Sequence, residues 1–104
     1  MKSDAVTQEH VVNTDLGLAN TVTAVVMPAG TYQFSLKART AAELRIHPNP
    51  HATGVYFTIP ASTVHREQRL FRGNRTDANG HRERVLYVSS PTGANIIAEA
   101  LAWT

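Results

Sequence analysis

The sequence contains no cysteine, which excludes both a disulfide framework and a metal site built from thiolates. It also lacks an apolar run of about 18 residues, the length that a membrane-spanning helix requires. The N-terminus, MKSDAVTQEH, is polar where a signal peptide has an apolar segment, so we expect a soluble and unprocessed protein. What remains is a chain of 104 residues, 42% apolar and 17% charged, which is typical of one globular domain with one core.

Lysine is scarce as well, because eight of the ten basic residues are arginines and six of these lie between residues 66 and 84. The planar guanidinium group of arginine suits interface ion pairs better than the point charge of lysine. The segment also holds the longest polar stretch of the chain, residues 72 to 83, with a tight-turn signal at Asn79-Gly80. Two interpretations stay open: a contact surface for an acidic partner, or a solvated hairpin loop whose acidic residues offset part of the charge.

Alternation of apolar and polar residues predicts β-strands over most of the chain. Residues 31 to 39 show it best, with one apolar face made of Tyr32, Phe34, Leu36 and Ala38. Residues 20 to 27 are rich in valine and threonine and predict another strand. After residue 43 the pattern points Leu44 and Ile46 inward and His47 outward, and residues 54 to 59 place Val55, Phe57 and Ile59 on one face.

The C-terminal stretch carries continuous apolar runs at residues 85 to 88 and 96 to 97, separated by a turn at residues 91 to 93. Such runs predict strands buried on both faces, although residues 98 to 102 are also good helix formers. In total the sequence predicts seven or eight short strands and an all-β fold, either an antiparallel β-sandwich or a jelly roll.

We expect the sandwich to span residues 14 to 104 and residues 1 to 13 to form a flexible arm. Val11 and Val12 are the apolar pair of this arm. The arm is expected to become ordered against a neighbour, for example by adding a strand to an exposed sheet edge.

No catalytic motif is complete, so neither an enzyme nor a bound cofactor is expected, and no signature of specific nucleic-acid binding is present. The segment IPASTVHRE faintly resembles the second metal-binding motif of cupins. That resemblance leaves a metal site at His47, His51 and His65 as the alternative from another functional class.

Two segments, ELRIHPNPHATGVYFTIPAST and LYVSSPTGANIIAEALAWT, resemble small virion proteins of tailed bacteriophages over residues 43 to 104. The resemblance implies a non-enzymatic capsid decoration (cement) protein located in the virion. Its partners would be the major capsid protein or neighbouring virion proteins, with no membrane involved, and it would self-associate as a trimer. A head-tail or tail component is the alternative within the same class. The residues expected to bind partners are Val11, Val12, Arg66, Arg69, Phe71, Arg72, Arg75 and Arg82.

Overall fold

A computed structural model describes residues 8–68 and 74–104, and these residues form nine β-strands and no helix. Among them no helix is therefore long and apolar enough to cross a membrane. The strands are β1 (Glu9–Asp15), β2 (Thr23–Met27), β3 (Gln33–Ala38), β4 (Leu44–His47), β5 (Phe57–Ile59), β6 (His65–Gln68), β7 (Arg75–Thr76), β8 (Arg82–Ser89) and β9 (Ile97–Trp103).

The strands pair as nested antiparallel partners: β1 with β9, β2 with β8, β3 with β6, and β4 with β5. Two further antiparallel pairs, β3 with β9 and β4 with β8, join them into two sheets. Sheet A has the order β1-β9-β3-β6, and sheet B has the order β2-β8-β4-β5 with β7 also pairing with β8. Nested pairs wrapped into two packed sheets are the jelly-roll form of a β-sandwich. The predicted all-β fold is confirmed.

The core lies between the two sheets and is made of alternate residues from each strand. Phe34 and Leu36 of β3 are fully buried, as the alternation in residues 31 to 39 predicts. Sheet B contributes six apolar residues to the same core: Val25, Met27, Leu44, Ile59, Leu86 and Val88. Successive residues of a strand point to opposite faces of its sheet. The odd-numbered or the even-numbered residues of a strand (its parity) therefore lie together on the outside of the sandwich.

The C-terminal segment is the strand β9 and not a helix, and it lies between β1 and β3. Its buried face consists of small residues, Ala98, Ala100 and Ala102. The larger side chains of the other parity, including Leu101 and Trp103, are only partly buried. The prediction of burial on both faces is thus wrong for β9, because one of its faces lies on the outside of sheet A.

The beginning of the sandwich also differs from the predicted boundary. Residues 9 to 13, which the sequence assigns to an arm, lie in β1 and pair in register with β9 from Glu9–Trp103 to Asp15–Ile97. Val12 packs against the core, which explains why this polar segment joins the sheet. Residues 1 to 7 lie outside the described part of the chain.

Candidate functional site

The outer face of sheet A brings together residues from all four of its strands. The register places Val11 opposite Leu101, Leu101 opposite Ser35, and Ser35 opposite Arg66. These residues belong to the parity that points away from the core, since their neighbours Val12, Leu36 and Ala100 are the ones packed inside. We call the outward surface of β1, β9, β3 and the start of β6 the sheet-A face.

Two large apolar side chains on the sheet-A face are exposed to solvent. Val11 is 69% exposed and Val64, just before β6, is 45% exposed. With Leu101 they line a shallow groove of about 340 Å³, whose polar lining includes Lys37 and Arg66. Exposed apolar residues beside an arginine are features that protein interfaces share, because arginine is enriched there.

The charges on this face are partly organised by Glu99. Its carboxylate accepts a hydrogen bond from Arg39 Nε at 2.8 Å, and Lys37 Nζ lies 3.7 Å away. The hydrogen bond from Arg39, together with the two positive charges, holds the pKa of Glu99 below its usual value. Glu99 therefore stays ionised in mildly acidic solution and keeps both basic side chains on the outer surface.

The outer face of sheet B is different because the loop between β4 and β5 folds over it. His47 is buried at 4% exposure, together with Ser89 at 2%, although the sequence predicted that His47 points into solvent. Its Nδ1 lies 2.9 Å from the carbonyl oxygen of Ala52 and its Nε2 lies 2.7 Å from Ser89 Oγ. A carbonyl can only accept, so Nδ1 donates to Ala52, while Nε2 shares a hydrogen bond with the Ser89 hydroxyl. His47 thus points outward as the alternation predicts, but the loop covers it.

Aromatic contacts hold the rest of this loop. The Tyr56 ring packs against the His47 ring with centroids 5.7 Å apart, and the Arg45 guanidinium lies 4.3 Å from the centre of the Tyr56 ring. Glu43 accepts a hydrogen bond from Arg45 at 2.8 Å. Beside the loop is an open groove of about 400 Å³, lined by Tyr56, Phe57 and Tyr87 among others. Of the three residues predicted to share one face, Ile59 is buried, whereas Val55 and Phe57 are exposed.

The arginine-rich segment forms a hairpin in its second half. The turn predicted at Asn79-Gly80 is present, with Gly80 at a φ of 81° and its N–H donating to the carbonyl of Asp77. The carboxamide of Asn74 bonds both backbone groups of Val85, at 3.0 and 2.7 Å, and so extends the ladder beside β8. Arg82 is exposed and lies opposite Thr76. Three of the expected binding residues, Arg69, Phe71 and Arg72, lie outside the described residues.

Arg75 has a partner inside the molecule. Its Nε and Nη2 atoms donate to one oxygen of Glu83 at 3.0 and 2.7 Å, and Glu83 is only 8% exposed. This ion pair joins the paired strands β7 and β8. The structure therefore gives the Arg75 side chain a partner within the hairpin.

We expect Arg75→Ala to lower the free energy of unfolding by about 1–2 kcal/mol, because it leaves the nearly buried Glu83 carboxylate without this donor. The matched double variant Arg75→Ala, Glu83→Ala removes both charges and should recover part of the loss. Urea denaturation followed by circular dichroism measures both. Equal stability of Arg75→Ala and the unchanged protein would show that the pair contributes nothing.

The three histidines of the metal alternative are not brought together. Both ring nitrogens of His47 are engaged by Ala52 and Ser89, while His51 is exposed in the loop. His65 lies on β6, where Nε2 is 3.1 Å from Glu67 and the ring packs against Phe57. Within residues 8–68 and 74–104, no group of three or more histidine and acidic side chains could hold a metal ion.

Of the residues predicted to bind a partner, the structure unites Val11 and Arg66 on one face and places Val12 on the opposite side of β1. Sequence reasoning missed Lys37, Leu101 and Glu99, which share the sheet-A face. The alternation of alanines with larger residues from Ile97 to Trp103 is the signal that could have found the outward side chains of β9. No protein-family model, curated protein or solved structure matches the chain.

Proposed function

We propose that the protein is a non-enzymatic structural protein of a tailed-bacteriophage particle, a capsid decoration protein that binds the assembled head through its sheet-A face. The observation that carries the proposal is the outward row of sheet A, in which the strand register aligns Val11 and Leu101 with Arg66 across all four strands. Val11 and Val64 are exposed beside Arg66 on this face.

Two further features support this choice of class. The resemblance of residues 43 to 104 to small virion proteins implies a binding function, and a jelly roll is one of the folds that viral capsid domains use. A fold alone does not determine function, so the exposed surface has the greater weight. A head-tail or tail component would use the same surface and remains the alternative.

The proposed mechanism is binding alone. A ligand that binds only the assembled shell stabilises that state by mass action, and many copies make modest contacts effective. On the sheet-A face the apolar residues would supply buried area, while Arg66 and Lys37 would attract an acidic surface and make the association rate sensitive to salt. Self-association as a trimer, as predicted from the sequence, belongs to the same proposal.

Co-sedimentation with pre-assembled heads and with unassembled capsid protein tests the function. We expect saturable binding to heads only, and we expect Arg66→Glu to weaken it at least about tenfold in moderate salt, because the change reverses a charge on the proposed contact surface. Arg82→Glu makes the same change of charge on the hairpin of sheet B and should bind as the unchanged protein does. If only Arg82→Glu weakened binding to heads, the contact would lie on the hairpin and not on the sheet-A face. If the protein bound neither heads nor tails, the proposal would be overturned.

A further inference from the structure

One edge of sheet A is formed by β1, a strand of seven residues. Among the described residues, β9 is the only strand that pairs with β1, so its other edge has no strand partner. β1 contains no proline and no lysine, and its register with β9 is continuous over seven residues without a bulge. Proline, lysine and bulges are three devices by which natural proteins prevent a sheet edge from pairing with another chain, and β1 contains none of these three; its charged residues, Glu9 and Asp15, stand at its two ends.

The hydrogen-bond pattern shows which backbone groups face this open edge. Gln8 and Thr104 exchange both backbone hydrogen bonds, at 3.2 and 3.0 Å, and Leu16 donates to Ile96 at 2.9 Å. Because bonding residues alternate along an antiparallel strand, the even-numbered residues of β1 bond to β9. The odd-numbered residues therefore turn their N–H and C=O groups to the open edge; they are Glu9, Val11, Asn13 and Asp15.

We propose that a second copy of this chain pairs with this edge, β1 against β1 in antiparallel orientation about a two-fold axis, with Val11 opposite Val11 of the second copy. A self-pairing contact of this kind presents the same surface from both chains. Glu9 then lies opposite Asn13 of the second copy, and six inter-chain hydrogen bonds form among these three residues of each chain.

Side-chain chemistry selects this register. The next register in one direction adds a residue pair but places Glu9 opposite Asp15, two like charges, and leaves Val11 opposite an asparagine. The register in the other direction places Val11 opposite Glu9, a charged residue. Only the proposed register places the most exposed valine of sheet A against an apolar partner.

The same register continues the sheet-A face without a step. The row that runs from Arg66 through Ser35 and Leu101 to Val11 would pass directly into its copy, so that two binding faces become one surface. The inference goes beyond the proposed function, since it needs only a second copy of the chain. It is also separate from the predicted trimer: a two-fold contact joins two copies, whether these are single chains or members of neighbouring trimers.

The absence of native cysteine permits a direct test by oxidative cross-linking of Val11→Cys. A hydrogen-bonded antiparallel pair has a Cα–Cα distance of about 5.5 Å, within the range that a disulfide bridges. We expect a covalent two-chain product to form at least about tenfold faster than with Asn13→Cys, which faces Glu9, or with Leu18→Cys, which is exposed away from the strand. Equal rates for the three variants would indicate random collision and overturn the inference.

A second variant tests the backbone contribution. Asn13→Pro removes a backbone donor on the open edge without removing one from the ladder to β9. It should therefore lower the mass of the protein in solution to that of the species without the β1–β1 contact. It should also abolish cross-linking through Val11→Cys. Thr14→Pro removes a ladder donor instead and should destabilise the fold. Unchanged cross-linking in the folded Asn13→Pro variant would overturn the inference. Both experiments use the protein alone, so failure here leaves the binding to heads untouched.

Discussion

His47→Ala should lower the free energy of unfolding by about 2–4 kcal/mol, because it removes two hydrogen bonds and leaves a buried hydroxyl and a cavity behind. The imidazole joins the carbonyl of Ala52 in the loop to Ser89 on β8. For a domain of this size the loss corresponds to a fall in Tm of about 10–25 °C. Thermal unfolding followed by circular dichroism measures it.

His51→Ala is the matched control, since His51 lies in the same loop and its side chain is exposed. Its backbone N–H bonds the side chain of Asn49 and would continue to do so after the change. We expect this variant to unfold within about 0.5 kcal/mol of the unchanged protein. If both variants were equally destabilised, the His47 side chain would not be what holds the loop against sheet B. The aromatic groove beside the loop should also become disordered in His47→Ala only.

Aspartate substitutions at two neighbouring positions should separate folding from binding. Val12→Asp should impair folding, whereas Val11→Asp should impair binding. Val12 packs against the core, so a carboxylate there should lower the free energy of unfolding by about 2–3 kcal/mol. Val11 is 69% exposed on the sheet-A face, so the same substitution should leave Tm nearly unchanged. It should instead weaken binding to heads at least about tenfold, or about 1.4 kcal/mol, because it places a negative charge in the proposed contact.

Equilibrium unfolding and co-sedimentation, carried out on both variants, separate the two effects. Val12→Asp is compared with Val11→Asp at a temperature where both are folded, so that loss of binding is not loss of fold. Full binding to heads by folded Val11→Asp would show that β1 is not part of the contact surface. Severe destabilisation by Val11→Asp would mean that this residue belongs to the core.

The strand positions could be predicted from the sequence because local alternation reports burial directly. Phe34 and Leu36 follow this rule, and the tight turn at Asn79-Gly80 follows from backbone preferences alone. The polar middle of the segment between Val64 and Leu70 is typical of a strand at a sheet edge or an interface, and β6 lies at the edge of sheet A.

The errors arose where tertiary contacts decide the environment of a residue. His47 has the parity of an outward residue, and nothing in the local sequence reveals that a loop five residues later covers it. For β9 the apolar composition predicted two buried faces, but burial of a strand depends on what is packed over it. The sheet-A face could not be assembled from sequence at all, because its members come from strands separated by dozens of residues. Val11 and Arg66 were chosen separately and meet only through the order of the strands.

The nested pairing of the strands has a consequence for how the chain reaches this fold. β1 and β3, although close in sequence, are held in one sheet by β9, which is made last among the nine strands. Sheet B likewise needs β8 to join β2 to β4. Neither sheet can close while the chain is still being synthesised up to β7, so the molecule must fold after most of its length is available. Contacts between distant parts of a chain form slowly, on the order of milliseconds to seconds for β-sandwiches. During that interval the valine-rich strands β2 and β8 are exposed to other chains.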